Sequence, residues 1–453
     1  MTTDSSRFDL TPLRQAVTAW WDAHVETLDP TAAEHLALAL SQVLAQAMLQ
    51  AALTRTAGQA TYQGPRQPCP QCGGTARFVG YRSRWLRTLC GDQQVARAYY
   101  HCAACHHGHL PWDQQAGLNE RIFSPAVKAL VVECCAQLTH REVETLLARV
   151  LGLPVEESSQ QEVVGEVATR LRATEAAEIE ACFERLELPT AVPLPGVPSS
   201  ASASSRPVRL YIGIDAAKAH TGGSWHDVKC AVLYYGVPPA GESCRATGLW
   251  DRAGPKRYLA RQEAVAAFGQ RLYVAAVAAG LATAQEVVVL GDGAEWIWNL
   301  ATEHFHGATQ ILDFYHAAEH IWQLVPVLYG EGSPQGKRWA EAQCRQLKEQ
   351  GPSGLLRALA RRKPTSSAAR EAVRGALSYF RSHRRRMDYP RFRARGMMIG
   401  SGPVEAACKV VVGQRLKGAG MRWSEAGADA MLAARTAVLN GQYEQIATYA
   451  RAA

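Results

Sequence analysis

The sequence predicts a multidomain chain: a helical amino-terminal half carrying a four-cysteine module, then an α/β domain with a helical insertion. Three observations predict it. Two Cys-x-x-Cys hooks are separated by 29 residues, a Pro-, Ser- and Ala-rich stretch occupies 188–207, and apolar β-branched runs beyond it stop at single acids. At 453 residues the chain can bury two or three cores. Its 47% apolar content is that of a soluble globular protein. No uninterrupted apolar run approaches the roughly 20 residues of a membrane span, and "MTTDSSRFDL" has no leader pattern. A cytoplasmic protein without a membrane partner is expected, whose twelve cysteines serve as thiols or metal ligands rather than disulfides. A net charge of +8 favours a polyanionic partner.

The first module, 1–62, reads as helices. "TPLRQAVTAWWDAHVETL" offers Thr11 and Pro12 as a cap and first-turn pair, and "TAAEHLALALSQVLAQAMLQAALTRTAG" is Ala-, Leu- and Gln-rich up to Gly58. The second, 63–118, holds Cys69-x-x-Cys72 and Cys102-x-x-Cys105 around strand-like, aromatic and arginine-rich sequence. Four thiolates brought to one point suit tetrahedral Zn(II) in a closed structural site, a zinc ribbon, with Gly73 and Gly74 in the first knuckle. Four unrelated thiols are the bland alternative. Arg84 and Arg87, among Tyr81, Trp85, Tyr99 and Tyr100, suit phosphate contact, and equally a solvated face.

The third module, 119–187, has two Ser/Thr-x-x-Glu capping boxes, Thr139 with Glu142 and Ser159 with Glu162, around the turn "LGLPVEES". This is a helix-turn-helix-like pattern with a candidate groove-reading helix from Gln160 to Arg172, and a plain three-helix core would look the same. Residues 188–207, "LPTAVPLPGVPSSASASSRP", form a linker.

The last module spans 208–453. "RLYIGIDAAKAH" alternates like a strand and reaches Asp215; "DVKCAVLYYG" and part of "RATGLWDRAGPKRYLARQ" follow as strands, "QEAVAAFGQRLYVAAVAAG" as a helix, then "EVVVLGDGAEW" and "TQILDFYH" as strands. Strands in an antiparallel-looking run, then helix and strand in alternation, is the order of an RNase H-like α/β domain. Asp215 and Asp292 each sit where a strand gives out, and neighbouring strands would bring them to one edge. Carboxylates held close repel unless a proton or cation neutralises them, and hard Mg(II), or Mn(II) in its place, prefers such oxygen ligands. Gly291 and Gly293 would admit metal and phosphate to the backbone, although a Gly-Asp-Gly turn is also common. Glu405 supplies a third acid in the first turn of a helix opened by Ser401 or Gly402 and Pro403. Lys409 follows on its face, and Arg415, Lys417 and Arg422 extend a basic side.

With "YIGIDAAKAH", "LGDGAEWIW", "LDFYHAAEH" and "IGSGPVEAACKVVVGQRLKGAGMRW", the region from 207 onward resembles the catalytic domain of bacterial insertion-sequence transposases of the DDE superfamily, most like the Kra-type family of the Mutator-like group. The resemblance implies that Asp215, Asp292 and Glu405 form a catalytic triad holding two Mg(II) or Mn(II) ions. It makes Asp313 and His316, which fit a Cys/Asp-x-x-His signature, an accessory pair. A helical insertion is expected at about 317–398; residues 357–395 hold 13 Lys or Arg, Arg384, Arg385 and Arg386 among them, against Glu371 and Asp388. Such a run suits a DNA backbone. The function implied is binding of an element's terminal inverted repeats, then cleavage and joining of double-stranded DNA by a homodimer or larger assembly. An RNase H-like nuclease or resolvase, a zinc-ribbon regulator and a silent DNA-binding relative stay open.

Overall fold

The computed structural model describes residues 9–25, 28–58, 61–118, 122–189, 194, 208–237 and 251–451. Of the expected linker at 188–207, all but 188, 189 and 194 lie outside them, as does most of the stretch read for a leader. The chain divides into two compact units, Met1–Val167 with Gln442–Ala453, and Ala168–Gly441. Both contain helices and a sheet, and neither sheet closes into a barrel.

In the first unit, α1 (Thr11–His24) begins one residue after Leu10, and Asp9 rather than Thr11 accepts the first amide, from Thr11 N at 3.0 Å. Helix α2 (Pro30–Gly58) is opened the same way, Asp29 Oδ1 accepting from Thr31 and Ala32 at 2.9 and 3.1 Å. Among the described residues its stretch Pro30–Thr56, with mean hydropathy 1.6, is long and apolar enough to cross a membrane by length and composition, and none of it is buried. It holds no unbroken apolar run of that length; Ala and Leu outweigh the scattered Gln and Ser only when the whole helix is averaged.

A four-stranded antiparallel sheet follows, β1 (Arg66–Pro68), β2 (Thr75–Thr88), β3 (Gly91–Cys102) and β4 (Gly108–His109), in sequential order. The long β2–β3 hairpin closes at Thr88↔Gly91, where Gly91 has φ +92°. The edge of β3 is met by glutamines of α2: Gln50 both donates to Gln94 O at 2.9 Å and accepts from Gln94 N at 3.2 Å. After α3 (Pro111–Gln115) and α4 (Pro125–Gln137), α5 (His140–Leu151) starts at the expected Thr139–Glu142 capping box and stops at Gly152, φ +60°. The second box does not form. Helix α6 begins earlier, at Glu157, and runs to Glu184, so Ser159 lies inside its first turn. Gln160 is fully buried, donating to His140 O and Val155 O at 3.0 and 2.7 Å, which turns the start of the expected reading helix inward.

The second unit is built on β5 (Arg209–Thr221), β6 (Ser224–Val237), β7 (Arg252–Arg261), β8 (Glu286–Gly291) and β9 (Thr309–Leu312), in spatial order β7-β6-β5-β8-β9. The first three strands pair antiparallel, and β5–β8 and β8–β9 pair parallel through the crossovers α7 (Val265–Ala278) and α8 (Glu295–His304). Ile212, Ile214, Val232, Val288, Phe268 and Trp298 fill the core between sheet and helices. The sheet's start is fixed by Arg209, buried and paired with Asp251 at 3.0 Å and Glu286 at 2.5 Å. Beyond β9 come α9 (Phe314–Trp322), α10 (Leu324–Tyr329), α11 (Pro334–Gln350), α12 (Pro352–Ala360), α13 (Ser367–Ser382) and α14 (Tyr389–Ala394). The chain continues with α15 (Gly402–Ala407), a π-turn over Cys408–Gly413, α16 (Gln414–Leu416) and α17 (Glu425–Leu439), and ends with α18 (Tyr443–Arg451), which packs on α4 in the first unit.

Candidate functional site

The parallel strands deliver three acids to one edge by register alone. Strand β5 pairs with β8 from Arg209↔Glu286 to Ile214↔Gly291, and β8 with β9 from Val288↔Thr309 to Gly291↔Leu312. The next residues in the same register are Asp215, Asp292 and Asp313, a row across the carboxyl ends of three parallel strands, where open α/β sheets bind their ligands. Asp292 follows its strand end, as predicted, and Asp313 follows β9, which stops at Leu312 where the strand was expected to run on to His316. Asp215 follows no strand end: β5 continues to Thr221 paired with β6 and no longer with β8, so the acid lies where one of its two neighbours departs.

Each carboxylate is held locally. Asp215 accepts from Ala216 N at 2.7 Å and from Cys408 Sγ at 3.5 Å. Asp292 Oδ1 accepts from Ala294 N at 2.9 Å, and Asp313 Oδ1 accepts from His316 N at 2.7 Å, capping α9. Burial pushes the Asp215 pKa up, and the nearby Asp292 charge pushes it further, although the Ala216 amide opposes both. Tyr379 of the helical insertion donates to Asp292 O at 3.4 Å and meets His320 in a tilted ring contact and His383 edge-on. Burial lowers both imidazoles, His383 to about 4, so both are neutral near pH 7.

Glu405 reaches this edge because α15 rests directly on β5. A Cβ on Gly213 would stand 3.0 Å from Val404 Cβ, so the missing side chain is the seat of the residue beside Glu405. Ser401 precedes α15 without capping it; its hydroxyl donates instead to Glu405 Oε1 at 2.8 Å, while its amide donates to Asp313 Oδ2. Asp313, His316 and Glu405 thereby offer donor atoms all within 4.8 Å of one another, a group able to hold a metal ion, and Asp215 and Asp292 lie outside it. The glycines around Asp292 have structural duties: a Cβ on Gly291 would meet Ile297 Cγ2 at 2.9 Å, and Gly293, φ +107°, lies under the Tyr379 hydroxyl.

In the first unit, Cys69, Cys72, Cys102 and Cys105 form a second group able to hold a metal, Cys69 to Cys105 at 3.5 Å and Cys72 to Cys102 at 3.7 Å between sulfurs. The two hooks are built alike. The residue after each, Gly73 and His106, has φ +70° and +58°, and the amides of Gln71 and Cys72 bond the Cys69 sulfur as those of Ala104 and Cys105 bond Cys102. The Cys105 amide is the main cause of a Cys102 thiol lowered to about 7. A Cβ on Gly74 would lie 3.2 Å from Cys72 Sγ. A soft, closed set of four sulfurs is the donor chemistry of structural Zn(II).

The basic residues separate into two kinds. Lys409, Lys417, Arg422, Arg384 and Arg385 are exposed. Arg415 is 1% exposed with its guanidinium 4.9 Å from the Trp423 ring, and Arg386 donates to Gln310 Oε1 at 2.7 Å and covers Trp298. Arg84 pairs with Asp113 at 3.3 Å, and Arg87 with Asp92 at 3.2 Å and Pro154 O at 2.8 Å. Cys408, Tyr379 and Gly213 are the site residues that linear spacing did not single out, and Ser401, expected as a cap, holds Glu405 instead.

No curated protein matches the chain. A model of the uncharacterised protein family UPF0236 matches residues 279–451, a stretch that contains Asp292, Asp313, His316 and Glu405 and leaves out Asp215 and the four cysteines.

Proposed function

We propose that this chain is a DNA transposase that binds the terminal inverted repeats of an insertion sequence and cuts and joins DNA strands in a divalent-metal-dependent reaction. The observation that carries the reading is the row Asp215, Asp292 and Asp313 at the carboxyl edge of the parallel strands, with Glu405 brought alongside on α15. The strand order, three antiparallel then two parallel, agrees with the RNase H-like architecture that the resemblance implies.

The donor set fits divalent cations. The Asp292 charge adds to the cost of ionising the buried Asp215, which a bound cation would relieve. Asp215, Asp292 and Glu405 would hold the ions, which supply a water nucleophile at neutral pH and charge stabilisation for the leaving oxygen. The chain's own part is positional: amides of Ala216 and Ala294 aim the two aspartates, and Ser401 aims Glu405. Exposed Lys409, Lys417, Arg422, Arg384 and Arg385 supply phosphate contacts, and the four-cysteine module with α4–α6 supplies end recognition in a dimer or larger assembly.

The test is incubation of purified protein with labelled DNA carrying the element's own ends, with Mg(II) or with no divalent ion, beside Asp292→Ala. Metal-dependent nicks at the ends and joined products that vanish in Asp292→Ala, while end binding persists, are expected. Nicks without joined products would identify a nuclease instead, and binding with neither product would leave a regulator.

A further inference from the structure

Asp313, His316 and Glu405 are more than neighbours, because each is held from behind. Asp313 is fully buried and accepts two backbone amides, His316 N at 2.7 Å on Oδ1 and Ser401 N on Oδ2. The Ser401 hydroxyl donates to Glu405 Oε1 at 2.8 Å. His316 Nδ1 faces Glu319 Oε2 at 3.4 Å, a partner that would leave Nε2 for an ion. A carboxylate behind an imidazole, and hydrogen bonds behind carboxylates, are the outer-shell arrangement that orients metal ligands and makes them more basic. The donor atoms lie within 4.8 Å of one another, close enough to share one ion.

We propose that Asp313, His316 and Glu405 form a cation site of two oxygen donors and one imidazole nitrogen, selecting a first-row transition-metal ion over Mg(II). The inference rests on the metal-dependent reading above, since Glu405 is common to both, and it gives the signature His316 a ligating role. The physical reason is the nitrogen. Mg(II) demands near-octahedral oxygen coordination and sheds its waters reluctantly, whereas imidazole suits the transition ions.

Mn(II) is the probe, titrated into the zinc-loaded full chain and followed by the electron paramagnetic resonance of the free ion, with Mg(II) as competitor. Wild type and Asp292→Asn are measured, so that binding is read with and without the neighbouring acid. Mn(II) is expected to bind in both, and Mg(II) in roughly 100-fold excess to leave it bound. His316→Gln should weaken Mn(II) at least tenfold and let Mg(II) compete; Glu319→Gln, altered only behind the ring, should weaken it about tenfold. Thermal unfolding of each variant reports its folding, and the exposed Glu319 change carries the test if His316→Gln fails to fold. Unchanged Mn(II) affinity in folded His316→Gln, or in Glu319→Gln where His316→Gln does not fold, overturns the proposal, as does displacement by equimolar Mg(II) in wild type. Cleavage of element ends is scored separately. Selective His316-dependent binding without cleavage keeps this site and removes the transposase reading, whereas cleavage with unselective metal binding does the reverse.

Discussion

Asp215 and Asp292 stand abreast because the pairing that ends at Ile214↔Gly291 has them as its next two residues. The separation of 77 positions is the register offset itself, 291 − 214 as well as 292 − 215. Two carboxylates so aligned make the site sensitive to protons and cations.

Asp215 has a raised pKa, from burial first and the charge of Asp292 after it. A group with its folded pKa above its unfolded value contributes stability below the unfolded pKa and loses it as pH rises through the folded one. Zinc-loaded protein without Mg(II) should therefore lose stability as pH climbs from the ordinary 3.8 through the range above it. Asp215→Asn should flatten that slope and raise the melting temperature at neutral pH, while Mg(II) should raise the wild type's melting temperature more than the variant's. Parallel melting-temperature profiles for the two proteins would refute the account.

Gly213 is the seat of Val404, so Gly213→Val should lift α15 and Glu405 away from Asp215. A Cβ there would also lie 3.1 Å from Val232 Cγ1, and overpacking of this kind costs about 1–3 kcal/mol in urea unfolding. Gly375→Ala, in α13 where a Cβ meets nothing within 4 Å, is the control and should stabilise by up to ~1 kcal/mol. Equal effects of the two would show that close packing at Gly213 is not what matters.

The four-cysteine group should carry one Zn(II) per chain. In isolated finger peptides such sites bind with ~10–16 kcal/mol, so chelation should unfold the β2–β3 module, read as loss of strand signal in circular dichroism. Cys102→Ser should lower the zinc content measured by metal analysis. Affinity should fall as pH falls, because the sulfurs bind zinc as thiolates and protons compete for them. Protein purified without chelator and lacking zinc would contradict this.

The exposed and buried arginines should part company. Arg384→Ala with Arg385→Ala should weaken DNA binding and reduce the slope of log affinity against log salt by ~0.9 for each phosphate that an arginine no longer neutralises. Arg415→Ala and Arg386→Ala remove side chains packed on Trp423 and Trp298, and should instead lower the denaturation midpoint. A steep salt slope untouched by the exposed pair would place the phosphate-binding residues elsewhere.

The sequence by itself determined the element types, because these follow from local physics. Alternating apolar residues made β5, a continuous apolar run made β8, the Thr139–Glu142 box opened α5, and two cysteine hooks marked one cluster able to hold a metal. Even there, local signals competed: Ser159 had the cap pattern, yet the helix began at Glu157. Only the tertiary structure decided which acids meet. Ser401 lies 88 residues from the Asp313 it holds, and Cys408 lies 193 from Asp215. Such meetings depend on strand register and on α15 settling over Gly213, and no local pattern encodes them. The same packing turned Arg415 inward, against the Trp423 ring, while Lys417 stayed outside.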